Sequence, residues 1–177
     1  MPAVIARVGA ASASDVASTY AECGRDLYAY CIGVARDAGI AEEIVQEAFA
    51  RLVREQRSGR YPDNPRAWLY TVATNLLRLR ARRLSIADRW RRGEGRANEE
   101  VDVAAEDVVI RRERTSELSA ALAGLPRDVR AALLLAADGF SGLEIASFLG
   151  KSEGATRNLM WRARLALRDQ LSEVGAR

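Results

Sequence analysis

The sequence contains no histidine. That removes Ser-His-Asp and Cys-His nucleophilic catalysis, together with the usual Cys/His zinc sites. It also contains no phosphate-binding glycine loop and no cluster with metal-ligand spacing, so an enzyme is a poor reading and no cofactor is expected. Cysteine is scarce. Cys23 and Cys31 stand eight apart in what reads as one helix, so roughly 12 Å separates their Cα atoms, too far for a disulfide. Both read as small core or half-exposed side chains. Lysine is nearly missing as well: Lys151 is the only one, and the other cations are arginines. No apolar run approaches a membrane span. Residues 1–12 lack the long apolar core of a secretory signal and read as the start of a frayed tail, residues 1–14. A cytoplasmic protein without membrane insertion is expected.

The 177 residues, 49% of them hydrophobic, suffice for one ordinary domain or two small ones with packed cores. Net charge is only +3, but its placement is uneven. Between Leu84 and Glu117 seven arginines face nine acids, whereas both flanks are net basic. Arginine offers a planar fork that suits phosphates and guanine edges.

The apolar pattern is helical throughout. Val16, Tyr20, Leu27, Tyr30, Cys31 and Val34 mark a first helix over about Ser14 to Asp37, with Gly39 suited to its C-terminal end. Ile44, Val45, Ala48, Phe49 and Leu52 form a buried stripe on a second helix, Ala41 to Val53, and leave Glu43, Gln46, Glu47 and Arg51 outside. Gly59, Pro62 and Asp63 mark a loop. Asn64 caps a third helix, with Pro65 at its first position. Trp68, Leu69, Val72, Leu76 and Leu77 line its apolar side. Thr71, Asn75, Arg78 and Arg82 share another face, and those groups contact bases and phosphates. Arg78, Arg80, Arg82, Arg83, Arg89, Arg91 and Arg92 make a dense basic run around Trp90, for which nucleic-acid phosphate is the expected counter-charge.

Residues 93–107 read as a flexible acidic linker, with Gly93, Gly95 and Asn98 among Glu94, Glu99, Glu100, Asp102, Glu106 and Asp107. A second module, 108–177, follows. Leu118, Leu122 and Leu125 lead to Pro126, which can start a helix continued by Val129, Leu133 and Leu134. Asp138-Gly139-Phe140 is a turn. Ser141 and Glu144 form a capping box. Gly150 ends that short helix and Ser152 caps the last. Helix, tight turn and capped helix make a helix-turn-helix pattern. Thr156, Met160, Ala163 and Leu167 are assigned to the core. Arg157, Asn158, Trp161, Arg162 and Leu165 lie on the outer face, where base edges and phosphates of a major groove can be met.

Two stretches together, Ala41-Glu42-Glu43-Ile44-Val45-Gln46-Glu47-Ala48-Phe49 and Trp68-Leu69-Tyr70-Thr71-Val72-Ala73-Thr74-Asn75, resemble region 2 of bacterial RNA polymerase sigma factors of the extracytoplasmic-function (ECF) group. Leu125 to Leu171 is similar to sigma region 4. The resemblance implies an all-α chain of two small helical modules, 15–92 and 108–177, and a promoter-specificity factor with no catalysis of its own. It implies that Glu43, Gln46, Glu47 and Arg51 dock on the clamp helices of the polymerase β′ subunit. It implies that Arg60, Tyr61, Thr71, Asn75, Arg78 and Arg82 hold the −10 element, the loop capturing a flipped base. By the same resemblance Arg157, Asn158, Trp161 and Arg162 read the −35 element. The linker would thread the polymerase cleft, its acids standing where RNA phosphates later run. Core polymerase, including its β flap, promoter DNA and in many members an anti-sigma protein are the implied partners. Two positions depart from the family pattern: Thr156 replaces a usual Val, and Leu159 a frequent basic residue. A stand-alone helix-turn-helix regulator and a protein that merely titrates an inhibitor are the rival readings.

Overall fold

A computed structural model of the chain describes residues 13–92, 122 and 124–174. The tail 1–12 and the acidic linker 93–107 lie outside the described residues. Those described are all helical and form six helices: α1 (Ala13–Ala35), α2 (Ala38–Arg57), α3 (Pro65–Arg92), α4 (Arg127–Ala137), α5 (Gly142–Leu149) and α6 (Glu153–Val174). Helices α1, α2 and α3 pack as one bundle, and α4, α5 and α6 as a second, smaller one. No described helix is long and apolar enough to cross a membrane.

The stripes read from the sequence are the ones that face inward. In α2, Ile44, Val45, Ala48, Phe49 and Leu52 are buried. They meet Leu27, Tyr30, Cys31 and Val34 of α1 and Leu69, Ala73 and Leu77 of α3. The Tyr30 hydroxyl, buried among these, shares a 2.8 Å hydrogen bond with the Thr74 hydroxyl, which satisfies both polar tips. Cys23 and Cys31 are buried free thiols. Burial pushes the Cys31 thiol up to about 12, so it stays protonated and unreactive. Tyr20, by contrast, is a surface residue at 59% exposure, its ring edge-on to Phe49 at 5.1 Å. It shares the helical period of the buried residues but lies beyond the area that α2 covers.

Helix ends depart from expectation where backbone geometry decides. Gly39 does not end α1; it sits in the first turn of α2. Arg36 takes the left-handed conformation instead, at φ 60°, and donates its backbone N–H to the Ile32 carbonyl at 2.7 Å. Asp37 then caps α2, accepting from the Ile40 N–H at 2.8 Å. Helix α2 therefore begins three residues earlier than the apolar stripe shows, and it runs on to Arg57.

The signals in the second bundle are local, and they hold. Pro126 occupies the cap position before α4. Helix α4 closes in a Schellman motif: Gly139, at φ 86°, donates to the Ala136 carbonyl, and Phe140 donates to the Leu135 carbonyl. Phe140 is thereby turned into the core. Ser141 and Glu144 form the expected reciprocal capping box. Gly150, at φ 58°, repeats the Schellman pattern at the end of α5. The Ser152 hydroxyl then caps α6 through the Ala155 N–H at 3.2 Å.

A flexibly joined pair of modules is expected from the sequence. In the structure the two bundles are in contact, α1 against α4 and α3 against α5. Their interiors merge into one continuous apolar cluster.

Candidate nucleic-acid interface

The outer side of α2 is a compact polar surface. Glu43 and Gln46 are exposed, and Glu47 and Arg51 are partly so. Arg51 donates to Glu47 at 2.7 Å and Arg54 reaches the same carboxylate at 3.3 Å. The Arg51 hydrogen bond, aided by Arg54, holds the Glu47 carboxyl below its ordinary range. Glu43 pairs across the bundle with Arg80 of α3. The four residues predicted to meet polymerase are thus brought onto one face, three of them, Glu43, Glu47 and Arg51, held in ion pairs.

The predicted −10 residues are less uniform. Asn64 caps α3 through the Ala67 N–H at 3.0 Å, which fixes the helix start. Asn75 and Arg82 are exposed on α3. Thr71 is half-buried, and its hydroxyl donates to the Ala67 carbonyl at 2.9 Å. Arg78 is turned toward the second bundle, its Nη1 standing 3.0 Å from where a Cβ on Gly150 would lie. In the loop, Tyr61 serves as an anchor: its hydroxyl meets Thr19 at 2.7 Å and the Asp15 carbonyl at 3.1 Å. Arg60 pairs with Glu55 at 2.9 Å. The structure therefore keeps the Tyr61 tip inside the bundle, and a role in stacking on a captured base falls to the ring alone. Arg78, Arg80, Arg82 and Arg83 belong to α3, whereas the side chains of Arg89, Trp90, Arg91 and Arg92 lie outside the described ones.

On α6, Arg157, Asn158, Trp161 and Arg162 are all exposed, Trp161 at 64%. They follow the capped start of the helix over about two turns. Thr156, Met160 and Ala163 face the core, as expected. Leu159 does not project where a basic residue would reach DNA. It is buried at 8% exposure within the shared apolar cluster, so the change removes a charge and supplies core volume.

Residues 19–93 match the family model for sigma-70 region 2, and residues 115–167 match that for sigma-70 region 4. The chain belongs to the RNA polymerase sigma factors of the ECF group. It is 31% identical to the ECF RNA polymerase sigma factor SigL of Mycobacterium tuberculosis, over 97% of this chain and 98% of that protein. It is 31% identical to the ECF RNA polymerase sigma factor EcfG of Rhodopseudomonas palustris, over 85% of this sigma factor and 81% of that one. Among solved structures, its fold is similar to the sigma factor RpoE of Bartonella quintana, crystallised with the anti-sigma factor NepR. That match has a TM-score of 0.69 and 24% identity, covering 90% of this chain and 98% of the other. CnrH, solved with the cytosolic domain of CnrY, is similar at a TM-score of 0.59 and 22% identity, over 92% of this chain and 91% of the other. Region 2 accounts for α1 to α3 of the sigma factor, which leaves the stand-alone helix-turn-helix reading without support.

The sequence reading gave no partner to four residues of the sigma factor: Arg66, Tyr70, Arg130 and Asp138. The Tyr70 hydroxyl donates to Asp138 at 2.9 Å. Arg66 donates to the Asp138 carbonyl at 2.7 Å and lies 4.4 Å from the Phe140 ring centroid. Arg130, only 6% exposed, donates to the Leu125 carbonyl at 2.9 Å and across the bundles to the Val34 carbonyl at 3.1 Å. There it covers one of the orphan carbonyls that end α1. The one local cue was Tyr70, whose hydroxyl needs a partner once the ring is buried.

Proposed function

We propose that this sigma factor binds core RNA polymerase through Glu43, Gln46, Glu47 and Arg51. We assign Arg60, Tyr61, Thr71, Asn75, Arg78 and Arg82 to melted −10 DNA, and Arg157, Asn158, Trp161 and Arg162 to the −35 element. It directs promoter-specific initiation in the cytoplasm and catalyses nothing itself, since polymerase makes the bonds. Duplex opening draws on captured bases and neutralised phosphates. The observation that carries this reading is the pair of exposed faces on one chain. One is an ion-paired surface on α2; the other is an aromatic, amide and guanidinium surface on a doubly capped helix-turn-helix. A β-flap contact for the second bundle and an anti-sigma partner belong to the same proposal; the anti-sigma partner is supported by the complex in which RpoE was solved with NepR.

The test is charge reversal. Glu47→Arg abolishes capture of core polymerase while leaving helix content unchanged. Arg157→Ala keeps polymerase capture and lowers −35-dependent transcription. Retained capture in the Glu47 variant would remove α2 from the account.

A further inference from the structure

Helix α2 keeps its charges sorted by sign. Its first half carries Glu42, Glu43 and Glu47, and its second half Arg51, Arg54 and Arg57. At about 100° per residue, Glu43, Glu47, Arg51, Arg54 and Arg57 share one side of the helix, within roughly 120° of arc. That side is the one assigned to polymerase above through Glu43, Gln46, Glu47 and Arg51. Glu55 lies outside the arc and is paired with Arg60. Arg51 and Arg54 share a single carboxylate, Glu47, at 2.7 and 3.3 Å. Arg57 has no ion-pair partner among the described residues. The C-terminal half of the surface is therefore left cationic, with the Arg54 side chain 62% exposed.

Beside the cationic half runs an apolar groove, lined by Val16 and Tyr20 of α1 and by Phe49, Val53 and Arg57 of α2. Tyr20 is exposed there, and its ring is fixed in place. It lies edge-on to Phe49 at 5.1 Å, and a Cβ on Gly24 would stand 3.1 Å from it. A fixed, exposed aromatic ring beside exposed guanidinium groups is the make-up of an interface anchor and its polar rim. Sorting charge along α2 also suits the helix macrodipole. The macrodipole gives no reason, however, for a ring left uncovered at the cationic end.

We propose that Tyr20, Arg54 and Arg57 are further docking residues for core polymerase and form the second half of the α2 surface. The inference rests on the assignment of α2 to polymerase. The partner it fits is a polymerase helix that places cations over Glu43 and Glu47 and carboxylates over Arg54 and Arg57. One apolar side chain of that helix enters the groove at Tyr20. Docking the same helix the other way round sets acid against acid and guanidinium against cation. The surface thus fixes the direction of its partner as well as its place.

The experiment measures the Kd of the full chain for purified core polymerase across a range of salt concentrations. Arg54→Glu with Arg57→Glu raises Kd about tenfold at low ionic strength, and the loss shrinks as salt screens these exposed charges. Arg54→Lys with Arg57→Lys keeps both charges and binds as the unaltered chain does. Tyr20→Gln removes the ring while keeping a good helix former, and raises Kd about tenfold at every salt concentration. Helix content by circular dichroism shows that each variant is folded. A Glu pair that binds core polymerase normally, or whose loss is the same at all salt concentrations, overturns the cationic half. So does a Lys pair as weak as the Glu pair. Normal binding by Tyr20→Gln overturns the groove. If Glu47→Arg loses capture while the Glu pair and Tyr20→Gln keep it, polymerase stays on the acidic half and only this extension fails. An unaltered chain that never binds core polymerase overturns the sigma reading instead.

Discussion

The two bundles differ in how far each completes its own core. In α1–α3 the fully buried side chains Leu27, Tyr30, Leu52 and Leu69 meet one another from three long helices. The second bundle is about 50 residues, a size at which a single core is marginal. Leu125, Leu135, Ile145 and Leu149 fill it, but Phe140 and Arg130 also reach across to Tyr70 and Val34 of the first bundle. A unit that leans on its neighbour can be set loose at modest cost, and a self-sufficient one cannot.

Core truncation breaks the comparison most severely. Leu52→Ala costs about 2–5 kcal/mol and unfolds both bundles in one denaturant transition, because the second loses its support with the first. Leu149→Ala removes a side chain of the same size, yet the transition splits, with the α1–α3 signal surviving to higher denaturant. A single shared loss for both variants would show equal dependence.

The next effect is confined to α5. Ser141→Ala removes the hydroxyl that accepts from Glu144 N–H and costs about 1 kcal/mol, read as faster amide exchange in residues 142–149 with the first bundle unchanged.

Acid has opposite effects on the joint and on α5. Burial holds the Asp138 carboxyl above its usual range, against the Tyr70 hydrogen bond and the Arg66 charge and together with the nearby Asp26. Closure therefore takes up protons, and the joint tightens as pH falls through the carboxylate range. Hydrogen bonds from Ser141 hold Glu144 below its usual range, so its cap is present above that range and lost as pH falls through the lowered value. Spin labels on cysteines introduced at the exposed Ala29 and Ser147 come closer as pH falls through the carboxylate range, and amide protection in α5 declines at still lower pH, through the lowered Glu144 value. Asp138→Asn abolishes the first trend only.

What was legible in the sequence was local. The stripe of α2, the Asn64–Pro65 start, the Ser141–Glu144 box and the Gly139 and Gly150 turns are each written within a few residues, where spacing and cap chemistry decide. The fold class and both helices proposed to face DNA follow from them. What was hidden depends on partners far away in the chain. Tyr70 and Asp138 are 68 residues apart, and Arg130 and Val34 are 96 apart. Leu159 reads as a lost DNA contact until the core around it is seen. Tyr61 offers a stacking ring in the sequence, but its hydroxyl is committed to Thr19 and Asp15.

The central claim is that this chain lends promoter specificity to core polymerase. The most direct measurement is multi-round transcription with purified core enzyme, the chain and a genomic fragment library. The account predicts discrete transcripts that require the chain and start downstream of a shared pair of motifs, one near −10 and one near −35. Neither transcripts nor stable core binding would contradict it.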